Sequence, residues 1–357
     1  MTAGRAGAAD AALLGEDVAE PVTEQQVAQQ SVAGLPAAEA LPPEHMTPGD
    51  LTPDDPANSG PPQAAATQAV AAQAAGENFP VALRMLPRRH RQLLMAVYVF
   101  ARTADDTGDE APAAERLRLL AELEEDVRRL YASLGESSGL SSGEGSTEED
   151  TGPPRLAAVR GLARAVTECE IPIQPFVDLI RANQQDQVVT RYQAFDDLVG
   201  YCKLSANPVG RIVLHVFGSF SAVRAEQSDL ICTGLQLAEH WQDVAEDFRA
   251  GRIYLPLEDL AVHGCTEQDL AARQTAPLVR ELMAFEVGRA RSLIDTGAPL
   301  IGTLRGAARA AVAGYVAGGR AALAAIAAAD YDVLARTPRP GKARTAGELA
   351  RAFARGR

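Results

Sequence analysis

Apolar residues recur at three- and four-residue spacing along most of the chain from about residue 77 to residue 335. Residues 93–106, 115–134 and 230–248 are clear examples, because leucine, valine and aromatic residues return there at helical intervals. The two-residue alternation that is typical of strands is scarce. Prolines such as Pro208 and Pro277 fall between these runs, where helices begin or end. The pattern predicts an all-α fold, with a single large helical domain over residues 75–335.

Three segments depart from this pattern. Residues 1–74 carry ten acidic residues and one basic residue, and their only aliphatic cluster lies near Leu13. Such a segment buries too little apolar surface to offset its ordering entropy, which predicts a disordered acidic leader, with a loosely helical leader as the alternative. Residues 135–154 are rich in glycine, serine and acids and predict a flexible loop. Residues 336–357 hold seven basic residues and one acid, which predicts a basic C-terminal tail containing a short amphipathic helix.

Composition excludes several classes of function. The net charge of −13 argues against a nucleic-acid-binding protein, which needs a basic surface for phosphates. No run of about 18 uninterrupted apolar residues predicts a membrane-spanning helix, and Arg305, Arg309 and Arg320 interrupt the alanine-rich segment near the end. The first twenty residues lack the features of a secretory signal. Four widely spaced cysteines indicate reduced thiols and a cytoplasmic location; they are Cys169, Cys202, Cys232 and Cys265.

The first chemical signal is an acidic cluster at residues 105–110. Asp105 and Asp109 are four residues apart and share one helix face, on which Tyr98 and Arg102 also lie. Like charges at this spacing destabilise a helix unless a counter-charge such as a divalent cation compensates them. A solvated acidic face is the alternative interpretation of this cluster taken alone.

A second acidic cluster follows at residues 243–247, where Asp243 and Asp247 repeat the four-residue spacing. Gln236, Glu239 and His240 precede it by one or two turns. His240 is interpreted as a packed or surface residue rather than a ligand, and the adjacent tryptophan as a core residue. Magnesium prefers carboxylate oxygens and is commonly held by a few carboxylates together with substrate phosphates. Two opposed acidic faces therefore predict a site that binds a diphosphate through Mg²⁺, in which the metal polarises the leaving group.

At these residues the chain resembles the squalene/phytoene synthase family. Residues 96–110 (AVYVFARTADDTGDE) resemble the first aspartate-rich motif of that family, and residues 235–256 (LQLAEHWQDVAEDFRAGRIYLP) resemble the second. Residues 191–211 (RYQAFDDLVGYCKLSANPVGR) resemble the middle signature. The resemblance implies the class I isoprenoid synthase fold with a central cavity. Within the family the chain is most similar to the HpnC type, the hydroxysqualene synthases of bacterial hopanoid pathways.

The resemblance also implies roles for individual residues. Four aspartates would hold Mg²⁺, with Glu246 and Glu239 in support: Asp105, Asp109, Asp243 and Asp247. The family often has asparagine where Glu239 stands, and whether Glu239 binds the metal or lies behind the ligands stays open. Arg102 and Arg252 would contact the diphosphate, because guanidinium groups match phosphate oxygens. Gln236 would lie on the cavity face, and Asp186 matches an acid of the family whose role in substrate binding stays open. Tyr98, Tyr201 and Tyr254 would line the reacting end.

The implied reaction starts from presqualene diphosphate, loses diphosphate, and ends when water captures the rearranged carbocation as hydroxysqualene. Ser205 and Asn207 replace small apolar residues of relatives, which leads to the hypothesis that they hold the capturing water. Two alternatives remain: a head-to-head prenyl transferase that makes presqualene diphosphate or phytoene, and an inactive helical scaffold protein. The expected partners are a prenyl diphosphate substrate and other squalene-pathway enzymes that receive the product by handover. Contact of the basic tail with the inner face of the membrane and simple solvation of that tail are both left open.

Overall fold

The computed structural model describes residues 86–135 and 152–355. These residues form helices and connecting loops, and within them one isolated bridge, between Arg191 and Ile253, is the only β-type pairing. The predicted leader at 1–74, the first residues of the predicted domain and residues 136–151 of the predicted loop lie outside the described residues. The helices are α1 (Arg88–Asp109), α2 (Arg116–Ser133), α3 (Ala157–Cys169), α4 (Gln174–Gln185), α5 (Phe195–Ser205), α6 (Asn207–Val216), α7 (Ala222–Gln242), α8 (Val244–Arg249), α9 (Leu257–Val262), a 3₁₀ helix (Glu267–Ala271), α10 (Pro277–Gly297), α11 (Leu300–Thr303), α12 (Gly306–Ala328) and α13 (Lys342–Arg355).

The helices form where the apolar spacing predicts them. In α1, Leu93, Leu94, Val97 and Phe100 are buried along one stripe, and the helix begins directly after Pro87. Proline stands in the first turn of α4, α6 and α10, where its missing N–H is not needed. Apolar burial along such stripes positions the polar ends of α1 and α7 at the site described below.

The core consists of two apolar clusters. One joins α1, α2, α3, α4 and α6, and the other joins α5, α7, α10 and α12. The α7–α10 pair is the most extensive helix contact, and Gly234 allows it, because a Cβ there would lie 2.6 Å from Ile294 Cγ1 and 2.9 Å from the Ala290 carbonyl oxygen. The close packing fixes the direction of α7, which carries the second acidic motif at its end.

Helix α12 is the one described helix that is long and apolar enough to cross a membrane. Within its most apolar window, however, 61% of the residues are buried inside the domain. Arg320 is also buried on this helix and pairs with Asp295 of α10 at 2.6 Å. These contacts are those of a core helix.

Residues beyond 335 form part of the packed structure rather than a separate tail. Helix α13 packs against α12, Ala352 is 1% exposed, and Leu349 contacts the second apolar cluster. The basic composition of the following residues predicted a domain boundary at residue 335. The helix predicted there is present, but its apolar face is buried by the domain, so the packed part extends to at least Ala352.

Candidate active site

The first acidic motif occupies the last turn and a half of α1. Asp105 accepts a hydrogen bond from Asn183 Nδ2 of α4 at 3.1 Å. The loss of solvation beside the packed helices raises the pKa of Asp105, although part of its side chain remains exposed to solvent. Arg102 pairs with Asp106 through its Nε at 2.7 Å, so the carboxylates of α1 themselves hold this guanidinium. Tyr98 is half-buried two turns earlier on the same helix.

The second acidic motif sits at a break between two helices. The continuous helix expected over Asp243 and Asp247 ends at Gln242, and Asp243 has φ −105° and ψ 15° before α8 begins. Asp243 and Asp247 nevertheless lie one helical turn apart, because Asp247 N donates a hydrogen bond to Asp243 O at 2.9 Å. Glu239 and Glu246 are exposed beside this pair.

The two aspartates of this motif have perturbed acidity. Burial and the nearby Glu246 raise the pKa of Asp243. Burial and the negative charge of Asp243 raise the pKa of Asp247 to about 7, and the positive charge of Arg252 opposes that rise. A bound cation would stabilise the ionised form of both carboxylates, because its charge would offset their desolvation and their mutual repulsion.

Arg252 joins the two motifs. Its Nη2 lies 3.3 Å from Asp109 Oδ1 of the first motif, and its charge acts on Asp247 of the second and on Asp186. The guanidinium is about one-quarter exposed, which leaves it open to a further anion.

Contacts with residues 190 and 191 hold the loop that carries Arg252. Gly251 has φ +84°, a conformation that favours glycine and reverses the chain directly after α8. Arg191 donates to the Gly251 carbonyl oxygen at 2.7 Å and forms a two-point ion pair with Glu267 at 3.0 Å. Ile253 N donates to Thr190 O at 2.9 Å, so the backbone on both sides of Arg252 is anchored.

Aromatic rings pack directly behind this loop. The Tyr254 ring stacks on His240 with centroids 3.7 Å apart and on Tyr192 at 5.8 Å. Tyr201 lies 5.9 Å from Tyr254 and 6.1 Å from His240. Burial lowers the pKa of His240 to about 3, so its imidazole is neutral, and Gln236 Nε2 lies 3.2 Å from its Nε2. The cluster is therefore uncharged and rich in π faces.

Asp186 connects the aromatic cluster to the charged groups. Tyr201 Oη donates to Asp186 Oδ2 at 2.8 Å, and the other carboxylate oxygen is buried without a hydrogen-bond partner. Burial raises the pKa of Asp186 to about 6, although the Tyr201 hydrogen bond and the Arg252 charge oppose the rise. A buried, unpaired oxygen next to a guanidinium indicates a position prepared for a polar ligand.

A small cavity lies where these groups meet. It is lined by His240, Val244, Asp247, Arg252, Ile253, Tyr254, Leu255 and Leu270. One side is therefore charged and the other apolar and aromatic, which suits a ligand with an anionic end and a hydrocarbon body.

Asn207 lies apart from this cluster. It is 4% exposed at the start of α6, and its Oδ1 accepts a hydrogen bond from Thr233 Oγ1 of α7 at 3.0 Å. Thr233 precedes Asp243 by ten residues, which is about 15 Å along a helix. Ser205 Oγ donates to Tyr201 O at 3.2 Å. Of the two residues of the water hypothesis, Ser205 therefore contacts the backbone of the aromatic cluster at Tyr201, whereas Asn207 contacts α7 at Thr233.

The donor set matches magnesium in its chemistry. Hard carboxylate oxygens from Asp105 and Asp109 stand on one side and those from Asp243 and Asp247 on the other. Within the described residues, no three acidic, histidine or cysteine side chains lie close enough to form a ready-made metal site. Magnesium commonly takes one or two carboxylates and completes its shell with water and substrate phosphates, so the arrangement fits a metal that arrives with an anionic substrate.

Several residues of the site are not evident from the spacing of the acidic motifs. Asn183 reaches Asp105 from α4, and Gly108 makes room for it, since a Cβ there would lie 2.7 Å from Asn183 Oδ1. Tyr192 and His240 complete the aromatic stack. Tyr192 stands beside Arg191 in the middle signature, and this position is the one sequence signal that marks it. The sequence predicted His240 only as a packed or surface residue.

Comparisons with known proteins agree with this architecture. A sequence model described as Squalene/phytoene synthase matches residues 72–344. The hydroxysqualene synthase of Rhodopseudomonas palustris is 35% identical over 230 residues, which cover 64% of this chain and 72% of that protein. The phytoene synthase of Arthrospira platensis is 32% identical over 60% of this chain and 68% of its own length.

Solved structures show the same fold. The crystal structure of squalene synthase HpnC from Alicyclobacillus acidocaldarius matches with a TM-score of 0.64 at 36% identity, over 74% of this chain and 94% of that one. A dehydrosqualene synthase structure matches with a TM-score of 0.66 at 22% identity, over 82% and 98% of the two chains. The predicted all-α isoprenoid synthase fold and the predicted similarity to HpnC-type proteins are both confirmed.

Proposed function

The chain belongs to the squalene/phytoene synthase family, and we propose that it converts presqualene diphosphate and water into hydroxysqualene and diphosphate. The observation that carries the proposal is the position of Arg252 and Tyr254 on one anchored loop. Arg252 faces the acidic motifs through Asp109, and Tyr254 stacks in the aromatic cluster. A diphosphate and the carbon from which it departs would thus meet complementary groups two residues apart.

The charged side of the site would bind and release the diphosphate. Arg252 and Arg102 would donate hydrogen bonds to its oxygens, and their positive charge favours the anion that forms when the carbon–oxygen bond breaks. The aspartates at 105, 109, 243 and 247 would hold Mg²⁺, with Glu239 and Glu246 beside them. When bound, Mg²⁺ supplies a Lewis acid that offsets the charge of the leaving diphosphate.

The aromatic side would protect the carbocation. The faces of Tyr254, Tyr201 and Tyr98 favour nearby positive charge. Burial raises the pKa of Tyr201 and Tyr254 well above the usual value, so both remain neutral phenols that do not trap the cation as phenolates. His240 is neutral as well and supports Tyr254 without adding a repelling charge.

Water capture is the step that distinguishes this reaction, and we assign the water to Ser205 and Asn207. Asn207 is buried and accepts a hydrogen bond from Thr233, so its side-chain amide is held in place against α7. Asn207→Ala should lower the fraction of hydroxysqualene among the products by roughly tenfold, the usual effect of losing one hydrogen bond to a reacting group. Unchanged rate and product purity in this variant would refute the assignment; Ser228→Ala, on the neighbouring helix, is the matched control.

A second candidate is the preceding step, in which two prenyl diphosphates are condensed head to head. The similarity to phytoene synthases favours it. Purified protein should be supplied with Mg²⁺ and either farnesyl diphosphate alone or presqualene diphosphate alone. If the protein consumes presqualene diphosphate but not farnesyl diphosphate, the first proposal is supported. If it forms presqualene diphosphate or phytoene from shorter substrates, the second is supported.

A catalytically inactive scaffold is the third candidate, from a different class. Both acidic motifs, Arg252 and the aromatic cluster are present and in contact, which an inactive protein has no need to keep. Inactivity of folded protein with Mg²⁺ and every C15, C20 and C30 diphosphate would favour the scaffold.

We propose a cytoplasmic enzyme that exchanges its hydrocarbon substrate and product with other squalene-pathway enzymes at the inner face of the membrane. The basic segment after residue 335 is the part proposed to meet anionic lipid. Because α13 contributes to the core, neutralising exposed residues such as Arg336 and Arg344 tests this better than deletion. Unchanged binding to phosphatidylglycerol vesicles would refute the lipid contact.

A further inference from the structure

A buried ion pair outside the site described above joins α10 to α9. Arg289 of α10 donates hydrogen bonds from Nη1 and Nη2 to the two carboxylate oxygens of Asp259, at 3.0 and 3.2 Å. Asp259 is 6% exposed, so this two-point pair is largely shielded from water. Glu286 lies one turn earlier on α10, is fully buried, and places Oε1 3.7 Å from Arg289 Nη1. Burial raises the pKa of Glu286 to about 8, so this carboxyl is mostly uncharged at pH 7 and Asp259 is the charged partner of Arg289.

The Arg289 guanidinium also lies over two aromatic rings. Its Cζ is 3.9 Å from the ring centroid of Phe195, the first residue of α5, and 4.4 Å from that of Phe285 of α10. A planar guanidinium can stack on aromatic faces while it forms a two-point pair with a carboxylate, and a lysine ammonium cannot do both. Arg289 therefore contacts the first turns of two helices, α5 and α9, at the same time.

The segments that lead into these two helices carry tyrosines of the aromatic cluster. Tyr192 precedes the start of α5 by three residues, and Tyr254 precedes the start of α9 by three residues. The two segments are hydrogen-bonded to each other, because Leu257 N donates to Tyr192 O at 2.9 Å and Phe195 N donates to Glu258 Oε1 at 2.7 Å. The Tyr192 and Tyr254 rings stack beside this pairing. The position of α5 relative to α9 thus sets the position of one ring against the other.

The charged side of the same loop has a support of its own. Arg191 holds the Gly251 carbonyl oxygen and pairs with Glu267. Within residues 86–135 and 152–355, the polar contacts of Arg289 are with Asp259 and Glu286 instead. Loss of the Arg289 contacts should therefore displace the tyrosines more than it displaces Arg252.

We propose that Arg289 is a positioning residue of the active site, which holds the starts of α5 and α9 together and thereby fixes the stacked rings of Tyr192 and Tyr254. This inference rests on the proposed function, because it takes the aromatic cluster to be the part that faces the carbocation. The effect of Arg289 should appear in turnover rather than in diphosphate binding, since aromatic faces act on positive charge that develops only during the reaction.

Arg289→Lys tests the proposal, because lysine keeps the positive charge opposite Asp259 but loses the two-point pair and the stacking. The kcat with presqualene diphosphate should fall roughly tenfold or more, while the affinity for inorganic pyrophosphate with Mg²⁺, measured by calorimetry, should stay unchanged. Arg291→Lys is the matched control, since Arg291 lies on the same helix in an exposed pair with Asp295 at 3.7 Å, and both quantities should stay at the wild-type value. If Arg289→Lys does not fold, the double variant Arg289→Gln with Asp259→Asn replaces the ion pair by neutral hydrogen-bonding groups and should show the same split.

The stack of Tyr254 on His240 gives a second readout that needs no turnover. The ring centroids are 3.7 Å apart, so the ring current of Tyr254 displaces the nuclear magnetic resonance signals of the His240 imidazole. The chain has five histidines, and His240→Gln assigns the signal in protein labelled with ¹³C-histidine. Arg289→Lys should shift the His240 signals, and Arg291→Lys should leave them in place.

The outcomes separate this inference from the proposed function. If the wild type converts presqualene diphosphate and Arg289→Lys has the same kcat, or if the His240 signals do not move, Arg289 does not position the rings. If Arg289→Lys weakens pyrophosphate binding as much as it lowers kcat, the ion pair supports the whole loop and the specific assignment to the tyrosines is wrong. If the wild type itself does not convert presqualene diphosphate, the proposed function fails and so does the role in turnover, while the His240 signals still decide whether Arg289 holds the stack.

Discussion

Metal binding at the second acidic motif should depend on pH within the neutral range because of Asp247. Burial and Asp243 raise the pKa of Asp247 to about 7, far from its usual value near 3.8. A protonated carboxyl does not bind a cation, so protons compete with the metal wherever this group titrates. The affinity for a divalent cation should therefore fall as the pH is lowered through 7.

The size of the effect follows from the titration of one group. With a pKa of about 7, roughly ten in eleven Asp247 side chains are ionised at pH 8 and roughly one in eleven at pH 6. The affinity should therefore fall about tenfold between pH 8 and pH 6, which corresponds to about 1.4 kcal/mol. A carboxylate with an ordinary pKa near 4 would stay ionised over this range and would give almost no change.

Titration with Mn²⁺, followed by electron paramagnetic resonance of the free ion at pH 6, 7 and 8, measures this directly. Asp247→Asn should bind Mn²⁺ more weakly and with little pH dependence. Glu226→Gln removes a charge from the exposed side of α7, away from the motif, and should reproduce the wild-type curve. Equal affinity of the wild type at pH 6 and pH 8, or a full pH dependence retained by Asp247→Asn, would refute the reasoning.

Two further predictions concern stability. Burial and the negative charge of the nearby Asp259 raise the pKa of Glu286 to about 8, so its stabilising contribution is complete below about pH 4.5 and is lost as the pH rises toward 8. The free energy of unfolding of Glu286→Gln should therefore exceed that of the wild type by on the order of 3 kcal/mol at pH 8 and by little at pH 5. Urea denaturation at both pH values measures this difference, and an equal difference at the two values would contradict the prediction. Gly234→Ala should destabilise the protein by about 1–3 kcal/mol, because its Cβ would meet the α10 backbone. Gly288→Ala is the control and should be neutral or slightly stabilising, because a Cβ there would have no atom within 4 Å. A lower melting temperature for Gly288→Ala than for Gly234→Ala would contradict the packing argument.

The fold could be predicted from the sequence because the spacing of apolar residues within each helix indicates which face of that helix is buried. The apolar stripe of α1 and the fully buried Trp241 of α7 are local patterns that the folded chain keeps. The aspartates are likewise visible, since the four-residue spacing within each motif is a property of one segment. These features depend on neighbours in sequence, and sequence alone displays them.

Features that depend on contacts between distant segments could not be predicted in this way. The helix breaks at Asp243, where the chain must turn toward Arg252. His240 and Tyr192 stand 48 residues apart in sequence and meet only because both stack on Tyr254. Pro338 belongs by composition to a basic tail, yet its carbonyl oxygen accepts a hydrogen bond from Gln242 at the end of α7.

Incubation of the purified protein with presqualene diphosphate and Mg²⁺ in ¹⁸O-labelled water tests the central claim most directly. The proposed mechanism predicts hydroxysqualene that carries one ¹⁸O atom from the solvent, together with released diphosphate. Untouched presqualene diphosphate, a hydrocarbon without oxygen, or hydroxysqualene without the label would contradict it.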